Sequence, residues 1–162
     1  LTFKHQKIIQ LDVERIEIIN EFKMPFKFPN VEHLVPISPG ASAERWASDI
    51  LRPIGKSGIA QFVITNGSVI REDLKIQKGV KGIFSLEHSK RFEANVNVRL
   101  EIFKKKKKSV ARASASRSQT LREDASPNLQ SRLWYNLVER LMESFNREMR
   151  NQIDTHLRLF VS

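Results

Sequence analysis

The sequence predicts an α+β fold, a two-layer sandwich in which two helices cover one face of a mainly antiparallel sheet of about four strands. Two observations lead to this prediction. Apolar and polar residues alternate with a period of two on both sides of a lysine run, which indicates paired strands. Two other segments carry apolar residues at helical spacing. The chain has 162 residues, of which 40% are hydrophobic, and this fits a single α+β domain, 1–162.

The clearest strand alternates apolar residues with charged or amide residues. Its apolar row consists of Phe92, Ala94, Val96, Val98, Leu100 and Ile102. A weaker strand with alternating alanines runs from Ala111 toward Leu121. Two alternating segments joined by a short polar link favour an antiparallel hairpin. Five adjacent ammonium groups repel each other and resist burial, so residues 104–108 are predicted to form the exposed hairpin tip.

Three further predictions concern strands and turns. Ile59–Ile70 is predicted to be one strand interrupted at Asn66-Gly67, or alternatively a tight hairpin. The apolar alternation of Ile9–Ile18 changes phase once, so a bulge near Glu14-Arg15 would keep it one long strand. A turn is predicted at Gly79–Gly82.

Residues 23–37 are predicted to form an extended proline-rich loop, because they show little hydrophobic periodicity. We expect Phe26 and Phe28 to pin this loop to the core. Loops that are placed on a rigid scaffold commonly carry recognition, so both aromatic residues and His33 are candidate binding residues.

Two helices are predicted. The first begins at Ser38-Pro39, although Ser42 is an alternative cap, and its apolar stripe continues to Ile54 before Gly55. The second begins at Ser126-Pro127, and every fourth residue is apolar over about 30 residues, a length of roughly 45 Å. The predicted order of elements is β-α-β-β-β-α.

No catalytic, metal or cofactor signature is present, so the sequence does not predict an enzyme. The absence of cysteine excludes disulfides, thiolate zinc sites and cysteine nucleophiles. The four histidines lack metal-ligand spacing, and the serines after the lysine run lack a nucleophile elbow. The Gly-Lys-Ser of Gly55–Gly58 lacks the upstream glycine of a phosphate-binding loop.

The formal net charge is +10, and residues 104–108 contribute five of these charges. Such an excess favours anionic partners, namely nucleic acid, anionic lipid headgroups or polyanionic glycolipid. RNA-binding sheets stack bases on aromatic residues of the open face. The corresponding row here has no aromatic residue and consists of Arg91, Glu93, Asn95, Asn97, Arg99 and Glu101. The alternative function is therefore a basic RNA-binding module that uses Lys104–Lys108 with Arg112 and Arg117.

Five stretches of the chain resemble a group of uncharacterised proteobacterial envelope lipoproteins. They are "FKFPNVEHLVPISP", "AERWASDIL", "GVKGIF", "RFEANVNVRLEI" and "WYNLVERLMESFNREM". In that group an extended segment leads into a Trp-bearing helix, and a helix that starts with Trp closes the chain. The resemblance covers residues 8–158. At the level of the fold, the element order is also similar to that of LPS-assembly and ABC-transport auxiliary lipoproteins.

The resemblance implies a non-catalytic soluble domain in the periplasm, anchored to the outer membrane through an N-terminal lipidated cysteine upstream of Leu1. The implied partners are an envelope protein or an anionic lipid or LPS surface, with nucleic acid ranked below them. No uncharged run is long enough to span a bilayer. The candidate binding residues are Lys104, Lys105, Lys106, Lys107, Lys108, Phe26, Phe28 and His33.

Overall fold

A computed structural model describes the backbone of residues 1–80 and 83–162, and the side chains of residues 1–75 and 88–162. In this part of the chain the fold is α+β, as predicted, with more strands than the predicted order contains. The strands are β1 (Ile9–Leu11), β2 (Arg15–Asn20), β3 (Leu51–Pro53), β4 (Ile59–Asn66), β5 (Val69–Val80), β6 (Ile83–Lys104) and β7 (Lys107–Arg122). The helices are α1 (Pro39–Ile50), α2 (Pro127–His156) and a short 3-10 helix, Arg158–Phe160.

Strand β6 is the centre of the main sheet, because it pairs with three other strands. The order is β2-β4-β6-β5, and β7 also pairs with β6. Since β7 pairs along Ser89 to Lys104 of β6, strands β4 and β5 share the opposite edge of β6, one after the other. The contact between β2 and β4 is parallel and the contacts of β6 are antiparallel. The prediction of a mainly antiparallel sheet is therefore confirmed.

Strands β4 and β5 behave as one interrupted strand. The ladder of β4 with β6 shifts by one residue between Ile64 and Asn66, and the shifted register then continues through β5. The interruption coincides with a close approach, since a Cβ added to Gly67 would lie 2.8 Å from the backbone nitrogen of Gly40 in α1. The prediction of an interrupted strand is confirmed, and the alternative hairpin is wrong. The predicted turn at Gly79–Gly82 includes Lys81 and Gly82, which lie outside the described residues.

The prediction of one long N-terminal strand is wrong. Strand β1 pairs in parallel with β3 in a separate two-stranded sheet, whereas β2 joins the main sheet. Tertiary hydrogen bonds separate the two strands: the N–H of Asp12 donates to the carbonyl of Phe160, and the N–H of Gly55 donates to the carbonyl of Val13. These distant partners fix a bend where local alternation suggests a bulge.

Helix α1 begins as predicted and ends earlier than predicted. The side chain of Ser38 accepts a hydrogen bond from the N–H of Ala41, which confirms the Ser38 cap. The helix ends at Ile50, and Leu51 already has extended backbone angles. Pro53 has no N–H and disfavours helical geometry in the residue before it, so Leu51–Pro53 pairs with β1 instead. The predicted start of α2 at Ser126-Pro127 is confirmed.

The two helices pack on the apolar row of the sheet through aromatic contacts. Trp46 of α1 is fully buried, and its ring centroid lies 5.8 Å from that of Phe62 and 5.3 Å from that of Phe145 in α2. Farther along the sheet, Trp134 packs edge-on against Phe92 with centroids 5.3 Å apart. Both tryptophans are therefore core residues, and α2 bridges α1 and the central strand.

The alternating alanines of β7 allow α2 to lie close to the sheet. Ala111 and Ala113 are buried, whereas the neighbouring Arg112 and Ser114 are exposed. A methyl side chain occupies little depth, so the large apolar residues of α2 fill the space above this strand. The weak apolar pattern of β7 is thus the pattern of a strand that packs under a long helix.

The lysine run forms the tip of the β6–β7 hairpin, as predicted. Lys104 pairs with Lys107, and the two intervening residues, Lys105 and Lys106, have φ angles of 52° and 63°. Positive φ at both central residues is the geometry of a two-residue type I′ turn, which matches the twist of the adjoining strands. The Nζ atom of Lys104 lies 2.7 Å from Oδ2 of Asp12 and 2.9 Å from its carbonyl oxygen.

Replacing Ala113 by Val tests the packing of α2 on β7. We expect Ala113→Val to lower the free energy of unfolding by about 1–3 kcal/mol, because the added methyl groups overpack the space under the helix. The matched variant Ser114→Val places the same side chain on the open face and is expected to change stability by less than about 0.5 kcal/mol. Urea denaturation followed by circular dichroism measures both, and equal effects would contradict the close packing.

Replacing Lys104 by Met tests the attachment of the tip to the Asp12 bend. We expect Lys104→Met to cost about 1–2 kcal/mol, because it removes a hydrogen bond and an ion pair of a half-buried ammonium group. The control Lys106→Met removes an exposed charge and should be neutral within about 0.5 kcal/mol. If the two variants unfold at the same urea concentration, the contact with Asp12 does not stabilise the fold.

Candidate functional site

The five lysines of the tip divide into two structural and three unpaired residues. Lys104 is held by Asp12, and Nζ of Lys108 lies 3.4 Å from Oε2 of Glu101. Lys105, Lys106 and Lys107 are exposed and form no ion pair with a carboxylate of the described residues. The group that is free to meet an external anion is therefore these three residues, which we call the free lysines.

The backbone of the tip is strained at two of the free lysines. Type I′ turns strongly prefer Asn-Gly, because an L-residue with a Cβ atom loses roughly 1–2 kcal/mol in the left-handed region. Lys105 and Lys106 occupy that region. Local strain of this kind concentrates at functional sites, so the choice of lysine is more informative here than it would be in an ordinary loop.

A surface cleft of about 510 Å³ adjoins the tip and combines basic with apolar side chains. Among its lining residues are Lys105, Lys107, His156, Arg158, Leu159 and Phe160. The side chain of Leu159 is 94% exposed, which is the largest exposure of any large hydrophobic residue described. A leucine surrounded by cations can accept an acyl chain or another apolar group while the ammonium groups hold an anionic head.

Part of the positive charge around this cleft also has a structural role. Helix α2 ends at His156, and a helix C-terminus carries a partial negative charge. The cations that line the cleft complement this end of the helix. The same cluster therefore also stabilises the end of α2.

The aromatic residues of the 23–37 loop do not pin it, and that prediction is wrong. Phe26 and Phe28 are 68% and 62% exposed. The loop is held instead by its backbone: the N–H of Val31 donates to the carbonyl of Val69, and the N–H of Arg71 donates to the carbonyl of Pro29. Tertiary backbone pairing with β5 thus anchors the loop and leaves its aromatic rings at the surface.

The structure brings Phe26 and His33 together, with ring centroids 5.3 Å apart. Phe28 lies nearby against Arg71, whose guanidinium carbon is 5.8 Å from the ring centroid. We call Phe26, Phe28 and His33 the aromatic patch. Phe26 has a φ angle of 58°, so strained backbone presents a ring to solvent here as well.

On extended backbone the neighbouring side chains of Glu32 and His33 would point opposite ways, and that expectation for the pair is wrong, because Glu32 is a buried carboxylate beside His33. It is 1% exposed, and its Oε1 atom accepts a hydrogen bond of 2.8 Å from Nδ2 of Asn30. Oε2 lies 4.0 Å from Nδ1 of His33, and neither of these two atoms has a hydrogen-bond partner among the described residues. Chain turning at residues 32–34 brings the two side chains together. The adjacent Glu-His pair in a loop that turns here was the available signal.

The tip and the aromatic patch lie far apart. The loop pairs beside Val69, which is opposite Ala94, whereas the tip adjoins Phe103. Nine residues of β6 separate these positions, a distance of about 30 Å at 3.3 Å per residue. The predicted binding residues therefore form two sites rather than one.

On the open face of the sheet, several cations are paired with carboxylates. Nε of Arg99 donates to Glu101 at 2.6 Å, and its Nη2 atom donates to Glu21 at 3.2 Å. The hydrogen bond with Glu101 raises the pKa of Arg99 above its ordinary value, with a smaller contribution from Glu21. These pairs leave less positive charge for a phosphate backbone, and Arg91 is likewise close to Glu72 and Glu93.

Within the described side chains, no group of three or more His, Asp or Glu residues could hold a metal ion. No helix in the described part of the chain is both long and apolar enough to cross a membrane.

Comparison with known proteins adds no assignment to this geometry. No protein-family model matches the chain, and no curated protein matches it. The resemblance to envelope lipoproteins therefore stays a prediction that rests on the quoted motifs.

Proposed function

We propose that this chain is a non-catalytic binding domain of a bacterial cell-envelope protein, held in the periplasm by a lipid anchor that lies outside this sequence. The hairpin tip would contact an anionic amphiphile surface. One observation carries the proposal: two lysines that pair with no carboxylate of the described residues, Lys105 and Lys107, line the same cleft as the almost fully exposed Leu159. The envelope location rests on the resemblance of the quoted motifs.

The expected strength of this contact suits a domain that is already tethered. Each lysine near an anionic membrane contributes about 1 kcal/mol, so the free lysines supply about 3 kcal/mol. Alone, this corresponds to a dissociation constant on the order of 10 mM. Burial of Leu159 would add about 1.5–3 kcal/mol. The tip therefore orients a domain at a surface rather than capturing it from solution.

The aromatic patch is the second part of the proposal, as the site for a protein partner. Aromatic residues are enriched among the few side chains that dominate protein interfaces. Phe26 and Phe28 together expose two rings on a loop whose backbone is held by β5. A rigidly held loop loses little conformational freedom on binding, which favours recognition.

Vesicle binding tests the role of the free lysines. At low salt we expect the unmodified chain to bind vesicles rich in phosphatidylglycerol and not to bind vesicles of pure phosphatidylcholine. Each lysine near an anionic surface adds to the free energy of binding. Replacing Lys105, Lys106 and Lys107 by Gln should reduce the partition coefficient roughly ten- to hundredfold. Co-sedimentation measures both.

The matched control replaces Lys4, Lys23 and Lys75 by Gln, which removes the same charge elsewhere on the surface and should reduce binding much less. Single-stranded RNA is measured in parallel. Tight RNA binding that the tip variant abolishes, with vesicles ignored, would replace the amphiphile proposal by the RNA-binding alternative.

The double variant Lys105→Asn/Lys106→Gly tests whether the two lysines of the turn lower the stability of the fold while they strengthen vesicle binding. Asn-Gly relieves the left-handed strain, so we expect the free energy of unfolding to rise by about 1 kcal/mol and Tm by roughly 2–4 °C. Loss of two lysines should weaken vesicle binding about tenfold or more. Calorimetry and co-sedimentation then give changes of opposite sign. Stability and binding that fall together would show that the turn is not strained as described.

A further inference from the structure

Among the residues that the structure describes, strand β7 has one edge that pairs with no other strand. Its 16 residues pair with β6 on one side, and β6 is its one strand partner in the described structure. An edge of this length presents a row of unpaired N–H and C=O groups, which natural proteins usually cover or shorten. We infer that this edge is a docking site for an extended acidic segment of a partner protein, which would add to the sheet as a further strand.

The geometry of the hairpin identifies which backbone groups face the free edge. The N–H of Asn95 donates to the carbonyl of Ser68, on the side of β6 away from β7. In an antiparallel ladder the backbone groups of successive residues point to opposite sides of the strand. Since those of Asn95 point away from β7, the even-numbered residues of β6 direct their N–H and C=O groups toward β7, where they pair with odd-numbered residues. The two-residue turn between Lys104 and Lys107 requires the same pattern. The outward N–H and C=O groups therefore belong to even-numbered residues, including Arg112, Ser114, Ser116 and Ser118.

The charge of β7 specifies an acidic partner. The strand contains five basic residues and no acidic residue. Four of these basic residues follow one another at intervals of five positions, so that successive ones lie on opposite faces of the sheet: Lys107, Arg112, Arg117 and Arg122. Lys107, Arg112 and Arg117 pair with no carboxylate of the described residues, and Arg117 instead donates to the hydroxyl of Ser144 in α2. A matching strand would carry carboxylates at the same five-residue interval, about 16 Å apart.

The same charges argue against a second copy of this chain as the occupant. Two β7 edges side by side would bring two arginine and lysine rows together without a carboxylate, and like charges on adjacent strands are destabilising. Small side chains make the edge accessible to another backbone, since Ser114, Ser116 and Ser118 are exposed and carry no bulk. The edge shares only Lys107 with the free lysines, and its outward backbone groups, Arg112 and Arg117 lie outside the tip, so the inference holds whether or not the tip binds an amphiphile.

The probe is a twelve-residue peptide of alternating Thr and Val with three glutamates placed five residues apart. Its control has the same composition, with the glutamates at every second position, so that all three lie on one face. Titration of the full chain by fluorescence anisotropy should show binding of the spaced peptide at least about tenfold tighter than the control. Equal affinity for the two peptides would reduce the contact to charge attraction and overturn strand addition.

Amide hydrogen exchange measures the protection of backbone N–H groups, which charge attraction alone would not change. In the complex, the amides of Ser114 and Ser116 should become protected, whereas those of Ala113 and Ala115, already bonded to β6, should change little. Protection that is absent at the even-numbered residues while the peptide is bound would overturn the inference.

Two variants separate the backbone from the charge. Ser114→Pro removes one outward N–H without removing a hydrogen bond to β6, so it should lower the affinity for the spaced peptide at least tenfold. The control Ser114→Ala keeps this N–H and should leave the affinity within twofold. Arg112→Gln/Arg117→Gln changes no backbone group and should abolish the preference for five-residue spacing. If Ser114→Pro fails to fold, the double variant still decides, and an unchanged preference in it would reject the proposal.

Discussion

The antiparallel pairing of β6 on both of its edges is the interaction on which the rest of this structure depends. The strand is 22 residues long, and one face of its described part is a continuous apolar row. That row must be covered, and α1 and α2 cover it through Trp46, Trp134 and Phe145. Because β4 and β5 share one edge and β7 takes the other, the main sheet cannot assemble without this strand.

The position of the charges follows from this pairing. A hairpin that begins at the end of β6 must turn in solvent, so the lysines are carried to a place where their charge is not penalised. Tertiary contacts then divide them: Asp12 and Glu101 use two, and the turn itself displays the others. Clusters of like charge in a sequence thus overstate the charge that is free to bind, because nearby carboxylates are visible only in the folded chain.

The alanines of β7 connect packing with recognition. On the inner face they let α2 approach the sheet, and on the outer edge the intervening serines and arginines leave the backbone open. Covering the sheet with a helix protects a face of β7 but not its edge, since hydrogen-bonding groups at an edge lie in the plane of the sheet. The β7 edge therefore carries backbone groups that the strand pairing described here leaves unsatisfied.

Local physical chemistry by itself determined several features of this protein. Period-two alternation at Phe92–Ile102, the Ser126-Pro127 cap and the repulsion among Lys104–Lys108 each depend on residues that are close in the chain, so the hairpin, its tip and α2 were predictable. Only the tertiary structure decided that Ile9–Ile18 divides between two sheets, that Glu32 lies buried and that Phe26 and Phe28 face solvent. Each of these outcomes depends on a hydrogen bond or a contact with a residue far away in sequence, such as Phe160 or Val69. Such distant partners compete with local preference and leave no periodic pattern in the chain.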